Sequence, residues 1–459
     1  MDSHKEYMIA GEIGKTLDHQ LTPLIQEIIQ SDEIPGLAVG VVAGNQIVYA
    51  RGFGVESLLT RKPITMHTLF HMASISKPFV ATAIMQLVEK GLVQLGAPFI
   101  TYVPYFKLDD DHDREITVQQ MLSHVSGMQD VENYEWDRPQ YDAGALERYV
   151  RSLTSKRLLS APGEKFAYSN MAFECLGALI ANVSGMSFDE YVKKHILDPI
   201  GMADSTFLKP EHLPENWAAP HVRTLDTFAW DGYPYNRMHG PSSTLHSNAL
   251  EMCCWAMANM NRGSYQGRQI LAASSYDLLW KPWAKVSPES NVGLSWFLGE
   301  YHHESMVSHG GGDTGFETYF AMLPEKQAAV VVLSNLLPAP VGAISLSALD
   351  IVTGSPLTPI LPYASIKVCK TLQQEGLEKA VLQWNYLKSN HTEEYDFSPW
   401  QFDILFNAVC LDRVQEAESI ARLCARILPE EDLIAIEKDM QNYQFSAAQV
   451  VINAIREGR

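Results

Sequence analysis

In the stretch HMASISKPFVATAIMQLVEKGL, residues 71–92, Ser74 and Lys77 stand three apart and Pro78 follows directly. Val80, Ile84, Met85, Leu87 and Val88 recur at helical spacing, which predicts a helix over about 74–91 with an inward apolar face. Residues three apart share a helix face, so the serine and lysine both point toward packed protein. A lysine is costly there unless it has a task. Near a helix N-terminus and partly buried, it loses affinity for its proton and can act as a base toward a neighbouring hydroxyl. Pro78 has no N–H, and its ring crowds the carbonyl of Ser74, so a distorted first turn is expected. Together these residues fit a serine nucleophile in a fixed pose with its base beside it.

Two further stretches could serve the same chemistry. In KFAYSNMAFECLGALIANVSG, Tyr168 and Asn170 stand two apart at the head of another apolar helix. In an extended segment that spacing puts a phenol and an amide on one face; a turn with an Asn cap is the plainer alternative. In SHGGGDTGFETYFAML, His309 precedes three glycines and then a strand. Glycines let backbone approach a ligand and present N–H groups to it, although a glycine-rich hairpin tip has the same composition. The spacing is not that of a nucleotide-binding loop.

These residues need a scaffold. A helix is expected over 16–32, followed by two strands in PGLAVGVVAGNQIVYARGFG with Gly44-Asn45 as the turn. Helical text dominates 115–290, and strands return in ETYFAMLPE and AAVVVLSN. A sheet built from both ends of a domain, with helices inserted between, predicts an α/β (α+β) fold over residues 1–353, the helical lobe occupying roughly 110–290. Pro356, Pro359 and Pro362 mark 354–364 as a linker. Residues 365–459 read as a helical C-terminal domain resembling tetratricopeptide pairs, whose apolar stripes must pack on the catalytic part, on a partner, or on a second copy in a homo-oligomer.

With 459 residues, 46% hydrophobic and 19% charged, the chain is globular in composition. A net charge of −19 disfavours nucleic acid and anionic membrane as partners. No run reaches the roughly 18 apolar residues of a membrane span. Six cysteines without CxxC spacing, mostly in apolar helical text, predict buried free thiols and a cytoplasmic location. His302 and His303 beside Glu304 lack the spacing of a metal site, and no cofactor is called for. The aromatics of TFAWDGYPYNRM, 227–238, fit a pocket wall and an ordinary core equally.

In combination and in this order, Ser-x-x-Lys, Tyr-x-Asn and His-x-Gly resemble the active site of the serine β-lactamase and penicillin-binding-protein superfamily. ITVQQMLSHVSGM, APGEKFAYSNMAFECLGALIANVSG and YVKKHILDPIGMADSTF look like its class C-type branch, which includes D-alanyl-D-alanine carboxypeptidases, D-aminopeptidases and β-lactamase-like esterases. The resemblance covers roughly 20–350. It implies an antiparallel sheet flanked by helices beside an all-helical lobe, with the site between them. Ser74 would be acylated, and Lys77 or Tyr168 would take its proton, a choice the sequence leaves open. Asn170 would bond Lys77 and a substrate amide, the N–H groups of Ser74 and Gly312 would form the oxyanion hole, and His309 and Gly311 would line the pocket. His124 would support the site from outside.

Class C enzymes carry Lys-Thr-Gly where this chain has His309-Gly310-Gly311. A histidine of pKa about 6.5 is mostly neutral at pH 7, so an antibiotic carboxylate loses its partner, and Asp313 adds negative charge at the mouth. The expectation is a serine hydrolase of small esters, amides or D-amino-acid peptides, with strong β-lactamase activity disfavoured. Acyl transfer would use the same residues, and an inactive ligand-binding homologue is the non-enzyme alternative.

Overall fold

The computed structural model describes residues 6–403, 411, 413–442 and 446–458. PGLAVGVVAGNQIVYARGFG forms strands Gly36–Ala43 and Gln46–Gly54. Gly44 and Asn45 between them both take positive φ, 57° and 61°, as a primed two-residue hairpin turn requires. The strand Ala328–Ser334 pairs with the first of these, from Ala328 opposite Ala43 to Ser334 opposite Leu37. The two ends of the domain thus close one nine-stranded sheet, antiparallel at every junction.

Alternation along Gly36–Ala43 feeds two cores. Leu37, Val39 and Val41 pack with Leu17, Leu21 and Ile25 of helix Gly11–Ser31 and with Ile344 and Leu349 of helix Val341–Thr353. Ala38 and Val42 face the other way, into a larger core with Phe79, Phe173 and Trp255. Phe79 and Trp255 stack there, with ring centroids 4.1 Å apart. Helix Gly11–Ser31 begins five residues before the expected start, because its first apolar residue, Ile13, is exposed and its buried Gly14 has no side chain to mark an apolar face.

Between 110 and 290 lie helices Val118–Leu122, Ala145–Ser152, Asn170–Ser184 and Ala249–Met260. Short strands lie there too. His221–Arg223 and Thr227–Ala229 join Leu336–Leu337 in a three-stranded sheet, which strands of two or three residues leave illegible as alternation. Asn170–Ser184 with Phe188–Ile200 is apolar and long enough together to resemble a broken membrane span, bent by 74°. Both parts supply the core, and among the described residues no single helix is long and apolar enough to cross a membrane.

Past the irregular stretch at 355–362, helices Ala364–Glu375, Leu377–Asn390, Val414–Ile427, Glu430–Asn442 and Ser446–Gly458 enclose a core of their own, around Trp384, Ile420, Leu423 and Ile455. Most of the predicted apolar run ILFNAVCL, with Cys410, lies outside the described residues. The other five cysteines are buried free thiols. Contacts back to the rest of the chain are largely polar. Tyr363 N donates to Asp32 (3.3 Å), Lys370 pairs with Glu33 (2.9 Å) and Gln373 bonds Asp226 (2.7 Å). Trp384→Ala should therefore destabilise the C-terminal helices by about 3–5 kcal/mol and leave Ser74 chemistry intact, as unfolding monitored alongside Ser74 labelling would show.

Candidate functional site

Ser74 sits in a 3-10 turn, Ala73–Ser76, ahead of helix Lys77–Glu89. The expected single helix is thus divided where Pro78 makes it divide: the N–H of Lys77 bonds the Ser74 carbonyl three residues back, which spares that carbonyl from the proline ring. Ala73 holds φ at 47°, a strained value for an alanine. Lys77 is wholly buried. Its ammonium donates to Ser74 Oγ and to the carbonyl of Ser242, both at 2.8 Å. Burial pulls its pKa from 10.5 down to about 8, against the opposing pull of Glu174, Asp130 and Asp313.

Tyr168 reaches the same point, its phenol hydrogen-bonded with Ser74 and Lys77 Nζ 5.0 Å from its ring centroid. Burial raises its pKa, so the phenol is held neutral. His124 stacks on this ring at 4.2 Å, and its Nδ1 accepts the N–H of Ser169 at 3.1 Å, which fixes the imidazole as a support for the tyrosine. Asn170 departs from expectation. Its side-chain nitrogen donates to Asp130 Oδ2 (3.2 Å) and its backbone N–H to Asp130 Oδ1 (2.7 Å). Asp130 takes both Asn170 donors at the helix start as charge-assisted bonds, while the Lys77 protons are directed to Ser74 and Ser242 and not to the Asn170 carbonyl oxygen.

His309 and the glycines lie inside a strand, Glu304–Asp313, rather than ahead of one. The neighbouring strand Phe297–Tyr301 ends its pairing at Ser308, so residues 309–313 keep one edge open among the described strands. Gly311 packs where no side chain fits: a Cβ would lie 2.4 Å from the Met72 carbonyl and 3.1 Å from Ser74 N. Gly312 follows it toward the strand end. His309 Nδ1 donates to the Gly310 carbonyl at 2.6 Å, which leaves Nε2 as acceptor, and burial drives its pKa down to about 3. It is uncharged at neutral pH. Asp313 is not a free charge at the mouth: its carboxylate takes His71 Nε2 (2.7 Å) and the Ser243 hydroxyl. Both partners are distant in sequence, which hid the tie.

The second ring of groups was likewise beyond sequence reasoning. Buried Glu174 accepts from His239 Nδ1 (3.2 Å) and from the hydroxyl and N–H of Ser242, the residue whose carbonyl holds Lys77. A glutamate in the apolar helix text AFECLGALI was the available signal. Tyr233 and Tyr235 of the aromatic segment pack around His246 and Lys209, and Tyr233 also meets His71 edge to face.

The sequence profile of the β-lactamase family matches residues 21–353. The chain belongs to that family. Among its relatives, Protein flp of Staphylococcus aureus (strain MW2) is 26% identical over 319 residues, covering 69% of this chain and 63% of that protein, so the chain spans less than two thirds of that relative's length. Esterase EstB of Burkholderia gladioli is 29% identical over 218 residues, 45% of this chain and 55% of EstB. The octameric penicillin-binding protein homologue from Pyrococcus abyssi superposes with a TM-score of 0.65 at 27% identity, over 80% of this chain and 82% of that one. A penicillin binding protein from Bacillus halodurans shares the fold, with a TM-score of 0.58 at 23% identity, over 72% of this chain and 97% of that one.

Within this β-lactamase-family scaffold, Gly311→Ala should push the glycine strand off Ser74 and lower Ser74 acylation by about a hundredfold, with the melting temperature measured in parallel. Glu174→Gln removes a carboxylate that raises the Lys77 pKa. The rise of Ser74 labelling with pH, centred near 8 in the parent, should then move to lower pH by about one pH unit. A fluorophosphonate labelling profile from pH 5 to 10 (roughly the window around a lysine so shifted) would show it.

Proposed function

We propose that the chain is a serine hydrolase that cleaves small esters or amides through an acyl-enzyme on Ser74. The observation that carries this reading is the wholly buried Lys77 amine 2.8 Å from Ser74 Oγ, with its pKa pulled to about 8. Neutral lysine takes the serine proton as Oγ bonds to the substrate carbonyl carbon. The N–H groups of Ser74 and Gly312 receive the oxyanion. As the tetrahedral adduct collapses, the lysine's proton reaches the leaving group by way of the neutral Tyr168 hydroxyl, and water then releases the acid by the same steps in reverse. With its pKa raised, Tyr168 is the relay and Lys77 the base. Asn170, fixed by Asp130, and His309 border the acyl group.

The neutral His309 supports esters and amides over anionic antibiotics, and the likeness to an esterase agrees. A D-amino-acid peptide is the second reading, favoured by the open edge at 309–313, along which an extended backbone can pair. We further propose that residues 1–353 are the catalytic unit and the C-terminal helices a separate one able to join subunits, since Leu382 and Tyr386 stand exposed one turn apart on Leu377–Asn390.

Ser74→Ala should abolish hydrolysis of p-nitrophenyl butyrate, and intact-mass spectrometry should show an acyl adduct in the parent alone. Equal turnover by the variant overturns the reading. A lasting benzylpenicillin adduct favours the peptidase form, and no adduct with the antibiotic intact favours the esterase.

A further inference from the structure

On the far side of the glycine strand from Ser74 lies a cleft of about 840 Å³. Alternation decides which glycine faces it. Gly311 turns its bare Cα toward Met72 and Ser74, so Gly310 and Gly312 turn theirs the other way. A Cβ on either would meet nothing closer than Tyr319 (3.6 Å) or Leu337 (3.9 Å). Close packing therefore does not demand glycine at 310 or 312; bare backbone there keeps the floor of the cleft open. The C-terminal helical part supplies the opposite wall, so the cleft exists only where the two parts of the chain meet.

Its lining has a definite chemistry. Tyr319, Tyr363, Tyr395, Phe397 and Trp400 contribute aromatic rings, Glu317 and Asp396 contribute carboxylates, and among the described residues no Lys, Arg or His lines it. Tyr363 and Trp400 meet edge to face at 5.2 Å, with Trp400 45% exposed at the rim. Each carboxylate is anchored by backbone: Glu317 Oε2 accepts the N–H of Ala339 (2.6 Å) and Asp396 Oδ1 that of Ser398 (2.8 Å). The Tyr363 phenol has its pKa raised by burial and then by Glu317, Asp32 and Asp396, so both carboxylates of the cleft act on this one ring. From outside the lining, Lys367 Nζ donates to the Tyr395 hydroxyl at 2.6 Å.

We propose that this cleft is a second binding site, for a small organic ammonium ion bearing an apolar body. Aromatic faces attract such cations through their quadrupoles, the Asp396 carboxylate completes the complementarity, and the volume is that of a small-molecule pocket. Nothing in the proposal uses the Ser74 reaction, so it stands or falls apart from the hydrolase reading.

Calorimetric titration of the full-length protein tests it with benzyltrimethylammonium, choline and choline's neutral isostere 3,3-dimethyl-1-butanol. The ammonium ions should bind saturably and the neutral isostere roughly tenfold more weakly than choline. Asp396→Asn and Trp400→Ala should each weaken the ammonium ions about fivefold or more, while Ser74→Ala binds as the parent does. Should Trp400→Ala fail to fold by circular dichroism, the near-isosteric Asp396→Asn decides. No saturable heat with either ammonium ion up to about 10 mM, equal affinity for the neutral isostere, or binding unchanged in Asp396→Asn would each overturn the proposal.

Discussion

A wholly buried lysine amine between the hydroxyl of Ser74 and the carbonyl of Ser242 is the constraint around which this structure is arranged. Desolvation alone would drive such an amine toward neutrality. Three carboxylates, on Glu174, Asp130 and Asp313, pull the other way, and the balance leaves the amine's pKa at about 8. None of these carboxylates is idle in packing. Glu174 is fixed by His239 and Ser242, Asp130 by Asn170, and Asp313 by His71 and Ser243. The electrostatics of one amine are thus distributed over four segments that only the fold brings together.

The second constraint is steric. The glycine strand must lie against the backbone of residues 72–74, and the space between them admits no Cβ at position 311. Such proximity needs both parts to be rigid. The strand is braced by Phe316–Leu323, paired with it from Val307 to Asp313, and Ser74 by the 3-10 turn that Pro78 imposes. Thr318 ties the two together, donating to the Met72 carbonyl at 3.0 Å. On the proposed reading, the Ser74 and Gly312 N–H groups would be preorganised as oxyanion donors by this packing.

The C-terminal helices relate differently to the rest. Most of their apolar residues pack in a core of their own, with Leu225 of the preceding part against it, and they meet the rest of the chain through an ion pair, backbone donors and the buried Asp32. Asp32 has its pKa raised to about 6, chiefly by burial, with Arg223 opposing. An interface of this polar kind positions one body against another without merging their cores, which is how a cleft survives between them.

Local spacing determined much from the sequence alone. Ser74 and Lys77 share a face because they are one turn apart, Pro78 must disturb the turn that carries them, Gly44-Asn45 must reverse a hairpin, and the order of the three motifs identified the superfamily. These are properties of residues within a few positions of one another, where backbone geometry dictates proximity. Tertiary structure alone decided that Asn170 serves Asp130 rather than Lys77, that Asp313 is tied to His71 and Ser243, that Glu174 and the Ser242 carbonyl tune and hold the lysine, and that a cleft lies behind the glycine strand. Each depends on groups tens to hundreds of residues apart, whose meeting is set by how the sheet closes and the helices pack, and no spacing within a segment encodes it.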